Sequence, residues 1–497
     1  MAKVPFASAT MCASLGGFRT RAIMPCPVQP YASPHGSTPW VSAAALVLLA
    51  ACGGRELEVS ATVNETTATV IELAWSTDQP GASWVEYGPT EAMGLQTPVS
   101  DPGTEHHFAL FGLPPLSPVY YRAVTTVDDD ELSAAGEAWT LNLPATLPDI
   151  EVTVHEPALT SAEPYMMGLL VGVSSAIFVV NRAGDVVWYR ELDGVAGPKP
   201  PVYGDVQFAL DGNDLVFNRF TADLDDPEGL NTILRVSLTG QVIDERSTPR
   251  SHHAFAQVGD GRYAYVAADV RSYQLPDAME PADIVGDAIV VVDPDGGAET
   301  VFSTWDWTLP TTVTDPDLSL YGDMADWTHA NGLAWYPEDG TFLLSAGYTQ
   351  AVLEVERSSG RLLRHFGHDG DVPVAPGSTD FFFQHDPTWT DDGTLLMASA
   401  YLEGEGERED SMFIAVEYAV EAGQLQEVWS YGKDQDIATL AEGQARRLAN
   451  GNTMVNWGFT GLCREVTPAG QVVWQLEAAA GAAMVRVRPI SSFYEGY

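Results

Sequence analysis

Positive charge is scarce in this chain. Against 68 Asp plus Glu there are 24 Lys plus Arg, a formal net charge of -44 over 497 residues. Proteins that grip nucleic acid neutralise phosphates with clustered Lys and Arg, so nucleic acid is excluded as a partner. The acidity reads as a solvated surface, and any anionic substrate must be held by cations placed locally. Cysteine is scarcer still: Cys12, Cys26, Cys52 and Cys463. Once a leader ending before Cys52 is removed, no disulfide framework and no Cys-based metal site remain, and Cys463 reads as a small core residue. A membrane-spanning run is missing too, because the apolar stretch Trp40–Ala51 is too short to cross a bilayer.

That stretch has another reading. It ends Leu49-Ala50-Ala51-Cys52-Gly53, with Arg19 and Arg21 upstream, and so resembles the lipobox of bacterial lipoproteins. The resemblance implies that residues 1–52 are a signal region, that Cys52 is lipidated, and that the mature protein is anchored to the bacterial cell envelope rather than spanning it. The expected location is the periplasmic face of the outer membrane or the cell surface.

What the chain has in quantity is aromatics, 45 glycines and 33 prolines. These favour many short strands joined by turns, an all-β fold. Residues 57–145 read as a small β-sandwich, with strand-like runs at 69–76, 83–87, 106–110 and 119–127. The runs Trp84-Val85-Glu86-Tyr87-Gly88 and Gly112-Leu113-Pro114-Pro115, followed by Tyr120-Tyr121-Arg122, resemble a fibronectin type III domain. His106 and His107 read as surface residues of this unit.

From 150 to 497 two signals alternate. One is a hairpin turn, at Asp211-Gly212, Asp260-Gly261, Asp339-Gly340, Asp392-Gly393 and Asn450-Gly451. The other is a strand, a turn glycine (Gly184, Gly240, Gly296, Gly360, Gly423, Gly470) and a second strand, often closing on an aromatic residue. Two hairpins per repeat make a four-stranded unit, and such units arranged radially give a β-propeller, here six-bladed. First strands line the channel of a propeller, so residues sharing a register on them meet across its axis. His253 lies 8 residues before Gly261, His329 11 before Gly340 and His385 8 before Gly393. One such histidine is usually a satisfied structural residue. Three at one register form a candidate site, able to act as base, acid, nucleophile or metal ligand.

Trp327-Thr328-His329-Ala330-Asn331, Gln384-His385-Asp386, Ser251-His252-His253 and the closing Val485-Arg486-Val487-Arg488-Pro489-Ile490 resemble the bacterial arylsulfotransferases, PAPS-independent enzymes that move sulfuryl groups between phenols. The resemblance implies a β-sandwich followed by a six-bladed propeller. It further implies that His385 is transiently sulfated while His329 and His253, or its neighbour His252, bind the sulfuryl oxygens. Asn331, Trp327 and Trp457 join them as substrate-binding candidates, the tryptophans by stacking on the aryl ring. The expected partners are small aryl sulfates and phenols, with no metal or other cofactor and a homodimer left open. The chain departs from the family at Gly347, where an arginine is usual. Arg219 stands at the corresponding register, 7 residues after Gly212 as Gly347 is 7 after Gly340, and is a candidate substitute; an ordinary surface ion pair is the competing role. Three alternatives stay open: a metal-dependent propeller enzyme using the three histidines, a non-catalytic binding propeller that has lost the arginine, and a quinoprotein-like dehydrogenase, which the blade count disfavours.

Overall fold

The computed structural model describes residues 57–494 except 173–174, 193–200, 222, 227–228, 314–319, 322–323, 402–411 and 440–441. Cys52 and the leader lie outside the described residues. The fold is all-β. A first, six-stranded unit comprises Ser60–Val63, Ile71–Gly88, Leu95–Gln96, Gly103–Leu110, Pro118–Val127 and Asp130–Trp139. The two runs expected at 69–76 and 83–87 are one strand of 18 residues. Its first part pairs with Ser60–Val63 and Gly103–Leu110, and its second part with Pro118–Val127. The register shifts between Ser76 and Gly81. Only glycine fits the bend, because a Cβ at Gly81 would lie 2.6 Å from the Thr126 carbonyl oxygen. Trp75, Val85, Tyr87, Leu110, Val119 and Tyr121 fill the space enclosed by this strand and its partners.

The surface assignment of His106 is corrected by the structure: His106 is buried, whereas His107 is exposed. Alternation along Gly103–Leu110 turns His106 inward, where its ring stacks on Trp75 with centroids 5.3 Å apart. Ser83 Oγ and Thr77 Oγ1 lie 2.9 and 3.2 Å from its ring nitrogens.

Six further sheets follow, antiparallel except that the two-residue Ala325–Asp326 pairs parallel in the third, and they are numbered one to six in chain order by their second strands. Their first strands are Ala483–Ile490, Val202–Phe208, Ser251–Gly259, Ala330–Tyr336, Phe382–Trp389 and Gln444–Arg447, and these touch their neighbours in a closed cycle. Sheet one is therefore completed by the far end of the chain, Ala483–Ile490 pairing with Tyr165–Val171. Sheet six receives Ile150–His155 on its outer edge. The Asp-Gly and Asn-Gly turns all connect a first strand to a second, and the other glycines connect third strands to fourth.

Neighbouring sheets are fastened by one repeated bond. Trp188, Trp429 and Trp474, each on the fourth strand of its sheet, donate Nε1–H to Leu238 O (2.8 Å), Pro468 O (3.0 Å) and Arg182 O (3.1 Å). Those carbonyls sit by the third-to-fourth turns of sheets two, six and one, so the bonds run one to two, five to six and six to one. Apolar packing supplies the rest. Between sheets three and four, Val266, Ile289, Phe342 and Leu344 are completely buried, each side chain contributing about 1.5–3 kcal/mol. The six-stranded unit leans on sheet one, where Thr69 Oγ1 donates to Val187 O (2.9 Å) and Tyr494 Oη donates to Ala109 O (2.7 Å).

Candidate active site

The first strands are irregular at one level. Their pairing with second strands slips between Tyr203 and Val206, His252 and Phe255, Ala330 and Gly332, Phe382 and His385, and Met484 and Arg486. Bulges of this kind re-aim side chains, here toward the centre of the ring of strands. Left-handed backbone accompanies them: φ is 51° at His253, 49° at His329, 48° at Phe383 and 48° at Asp386. A non-glycine residue held there costs of order 1–3 kcal/mol, and such residues cluster at functional sites. At His253 the device is visible in full. Its bulged carbonyl presses toward Gly204, where a Cβ would come within 1.8 Å. Asn218 clamps the pair, donating to His253 O at 3.1 Å and accepting from Asp205 N at 2.8 Å.

The predicted histidines come together. His253 and His329 have ring centroids 4.9 Å apart. The Phe383 ring lies between the other pair, 6.0 Å from His329 and 5.0 Å from His385. His252 joins them, its Nδ1 2.8 Å from His253 Nδ1. All four are buried, yet each is held differently. His329 Nδ1 lies 2.7 Å from Asp326 Oδ2, and its backbone N–H donates to Oδ1 of the same carboxylate at 3.2 Å. Burial opposes its charged form, but Asp326 foremost, with Asp287 and Glu442 beyond it, outweighs burial and raises the pKa above the usual imidazole value. His385 Nδ1 faces the Phe383 carbonyl at 3.0 Å. A carbonyl only accepts, so the ring's proton is on Nδ1 and the neutral form presents a bare Nε2. Burial, then Arg486 and His329, push its pKa down to about 3. Burial and the same neighbouring charges lower His253 as well.

Arg486 was not singled out from the sequence as a site residue. It is buried on the strand that completes sheet one, Nη1 2.8 Å from Glu442 Oε2 and Nε 3.9 Å from Asp205. Its charge is felt by both His385 and His253. Asp386, the neighbour of His385, reaches away from it, accepting from Gln444 Nε2 (2.9 Å) and Arg446 Nη2 (2.8 Å). Burial would raise that carboxyl, but Arg446, Arg486 and Arg488 hold it at about 2. Tyr348 also escaped the sequence reading. Its ring stacks on His329 at 4.3 Å and lies 5.7 Å from Phe383.

The remaining candidates divide. Asn331 is buried at the cluster, and neither Oδ1 nor Nδ2 finds a hydrogen-bond partner among the described residues. It faces Gly347, where a Cβ would lie 2.7 Å from Asn331 Nδ2. Trp327 packs on Trp305 (5.1 Å) behind His329. Trp457 is a core residue that donates Nε1–H to Phe413 O at 2.7 Å, and the Phe413 ring in turn lies 5.8 Å from His385. Arg219 is not brought to the histidines: Nε donates to Leu230 O (3.1 Å) and Nη2 pairs with Glu245 (3.0 Å). Cys463 is buried with its thiol 3.1 Å from Met454 Sδ, a core residue as expected. No three His, Cys, Asp or Glu side chains among the described residues form a metal-ligand group.

A buried neutral imidazole with a free Nε2, a second imidazole held toward its cationic form, an arginine and aromatic walls together make an arrangement chemically able to support attack on an anionic electrophile. The sequence comparison gives the class its family. A family model described as Arylsulfotransferase (ASST) matches residues 152–489, and the chain belongs to that family. No curated protein matches the chain. Among solved structures it is similar to a periplasmic gluconolactonase of Pseudomonas aeruginosa (16% identity, 66% of this chain and 100% of that one, TM-score 0.38). It is also similar to a Bacteroides caccae protein of unknown function (15% identity, 67% and 100%, TM-score 0.37) and to virginiamycin B lyase of Staphylococcus aureus (12% identity, 57% and 72%, TM-score 0.30).

Proposed function

We propose that this protein transfers a sulfuryl group from a phenolic sulfate ester to a phenolic acceptor through a sulfohistidine at His385. The observation that carries the reading is the state of His385: neutral through burial, Nδ1–H donated to Phe383 O, Nε2 free to attack. The Nε2 lone pair forms a bond to sulfur, the sulfur–oxygen bond breaks, and the phenolate leaves with the electron pair. An acceptor phenol that has lost its proton then attacks the same sulfur, and the N–S bond returns its pair to His385. As in phosphoryl transfer, charge on the equatorial oxygens must be neutralised by fixed groups. His329, held toward its cationic form by Asp326, and buried Arg486 supply that charge in a chain that has Gly347 in place of the family arginine.

In the same reading the six sheets are blades of one closed propeller, residues 57–145 are a fibronectin type III-like module docked on blade one, and Cys52 carries a lipid that anchors the enzyme to the cell envelope. The test is brief exposure to a chromogenic aryl sulfate followed by peptide mass spectrometry. The expected result is one added sulfuryl group on the His385 peptide, with acceptor-dependent phenol release. His385→Ala should lose transfer by on the order of 10⁴ to 10⁶. Turnover at the parent's rate in that variant would reject the assignment. Binding of aryl sulfates without turnover in the parent would favour the non-catalytic propeller instead.

A further inference from the structure

Sulfuryl transfer to a phenol needs a base, because an acceptor such as a simple phenol, with a pKa of about 10, is almost wholly protonated near neutrality. The sulfohistidine reading leaves that proton unassigned. His385 is the group being attacked, and His329 is held toward its charged form and is a poor acceptor.

We propose that Asp287 is a positioning residue which, through His252, makes Nε2 of His253 the base for the acceptor phenol; this rests on the transfer reading above. Asp287 is buried on the third strand of sheet three, away from the bulged first strands. Its oxygens are saturated by donors. Oδ1 faces His252 Nε2 at 2.9 Å, and Oδ2 accepts from Thr328 Oγ1 at 2.5 Å and from Ala330 N at 2.7 Å. Burial alone would raise this carboxyl, but the bonds from His252, Thr328 and Ala330 hold it below the usual carboxylate range. An ionised carboxylate only accepts, so the proton of His252 sits on Nε2.

The tautomer then propagates. With its proton on Nε2, His252 presents a bare Nδ1 to His253 Nδ1, 2.8 Å away. One nitrogen of that pair must donate, and only His253 has the proton to give. His253 is thus fixed with hydrogen on Nδ1 and a lone pair on Nε2. Its left-handed bulge holds the ring against His329 at 4.9 Å. In the transfer step the phenol O–H proton passes to His253 Nε2 as the phenol oxygen attacks sulfur on His385. The Nδ1 proton of His253 can move on to His252 Nδ1, where the resulting imidazolium is paired with Asp287. The proton stored on His252 in this way is available, back through His253, to the phenolate that departs in the next round; from the neutral resting pair the donor's phenolate leaves without one. Because Asp287 also anchors Thr328 and Ala330 on either side of His329, one carboxylate sets both the base and the oxygen-binding imidazole.

The experiment combines an acceptor series with a readout independent of turnover. In the full-length parent, ¹⁵N NMR of labelled histidines, assigned with His252→Gln, should find His252 protonated on Nε2 and His253 on Nδ1; the opposite tautomer on either ring overturns the proposal whether or not the protein turns over. Asp287→Asn should then slow transfer to weakly acidic phenols by about 10²–10³, within the range for general-base catalysis. Transfer to a nitrophenol that is already ionised should fall less than about tenfold, and the phenol burst from a nitrophenyl sulfate should persist. An equal loss across all acceptors would make Asp287 merely structural and overturn the proposal, as would no loss at all. A parent that yields no burst and no sulfated His385 fails the transfer reading itself, while the tautomer measurement still stands or falls separately.

Discussion

Two regions of this chain bury histidine, and they do so in opposite ways. In the amino-terminal unit His106 lies on regular strand, flat against Trp75, with only hydroxyl groups at its ring nitrogens. In the ring of first strands His253 and His329 sit on left-handed bulges, and carboxylates face His252 and His329 at 2.9 and 2.7 Å. The first arrangement makes histidine a polar core residue: burial lowers its pKa, and the charge of Glu105, which makes no bond to the ring, does not restore it. The second spends backbone strain to aim imidazoles at one another and uses Asp287 and Asp326 to decide which nitrogen carries a proton. Burial is common to both regions; carboxylate and strain separate a site from a core.

The comparison breaks first at Asp326. Asp326→Asn removes the charge that outweighs burial at His329, so this ring should become neutral like His106. Transfer should fall by about 10²–10³, the loss associated with removing one stabilising group from a developing anion. The sign of the pH dependence follows. The pKa of His329 is raised in the folded protein, so the stabilisation it brings is complete below about pH 6.5 and is lost as pH climbs through its higher folded value. Parent activity should therefore decline as pH rises through that raised value, and the variant's decline should begin at lower pH. Rate–pH profiles of both proteins check this; superimposable profiles would mean that Asp326 does not govern the charge of His329.

His106 sharpens the comparison from the other side. Its folded pKa is depressed, so the unfolded chain binds the proton more readily and stability is lost as pH falls below about 6.5, the opposite sign to His329. His106→Ala should destabilise the amino-terminal unit by about 2 kcal/mol, through the lost stack on Trp75 and the lost hydrogen bond to Ser83 Oγ, which keeps Thr125 Oγ1 as its partner. Transfer by the folded variant should not change. Denaturant melts with intrinsic tryptophan fluorescence, together with the phenol-release assay, measure both.

These two regions also mark what could be read in the sequence. Turn glycines are local chemistry, so the hairpins fell where Asp-Gly and Asn-Gly stand, and the common register of His253, His329 and His385 followed from them. Pairing between distant segments is not local. Arg486 was quoted only as part of an alternating Val-Arg-Val-Arg run; its place beside His385 exists because Ala483–Ile490 completes a sheet begun more than 300 residues earlier. Asp287 lies within the long, mostly apolar strand Ala282–Val292, and no motif in the sequence marks it. Trp327 takes its place for a related reason. The segment Ala325–Asp326 adds to sheet three rather than opening sheet four, which sends Trp327 into packing with Trp305 while the bulge at His329 turns the next residues inward. In the amino-terminal unit, one bent strand was read as two because its middle is polar and carries Pro80 and Gly81.

The smallest effect is expected at Arg219, and the reason is a slip of register. Counting seven residues from the turn glycine equates Arg219 with Gly347 only if the following strands start at the same distance. Sheet four resumes at Thr341, immediately after Gly340, whereas sheet two resumes at Leu215, three residues after Gly212. Gly347 is consequently one residue past its strand and Arg219 one residue before the end of its own, so the residue in the place of Gly347 is Thr221. Two residues of slip keep a side chain on the same face of a strand, which is why the alternation gave no warning. Arg219 instead bonds Leu230 O and Glu245 near the surface, a half-exposed pair of the kind worth about 0.2–1 kcal/mol. Arg219→Ala should leave transfer within about twofold of the parent and lower stability by no more than that amount. A loss of transfer comparable to that of Asp326→Asn would instead make Arg219 the replacement for the family arginine, and would remove the need for Arg486 and a charged His329 to carry that role.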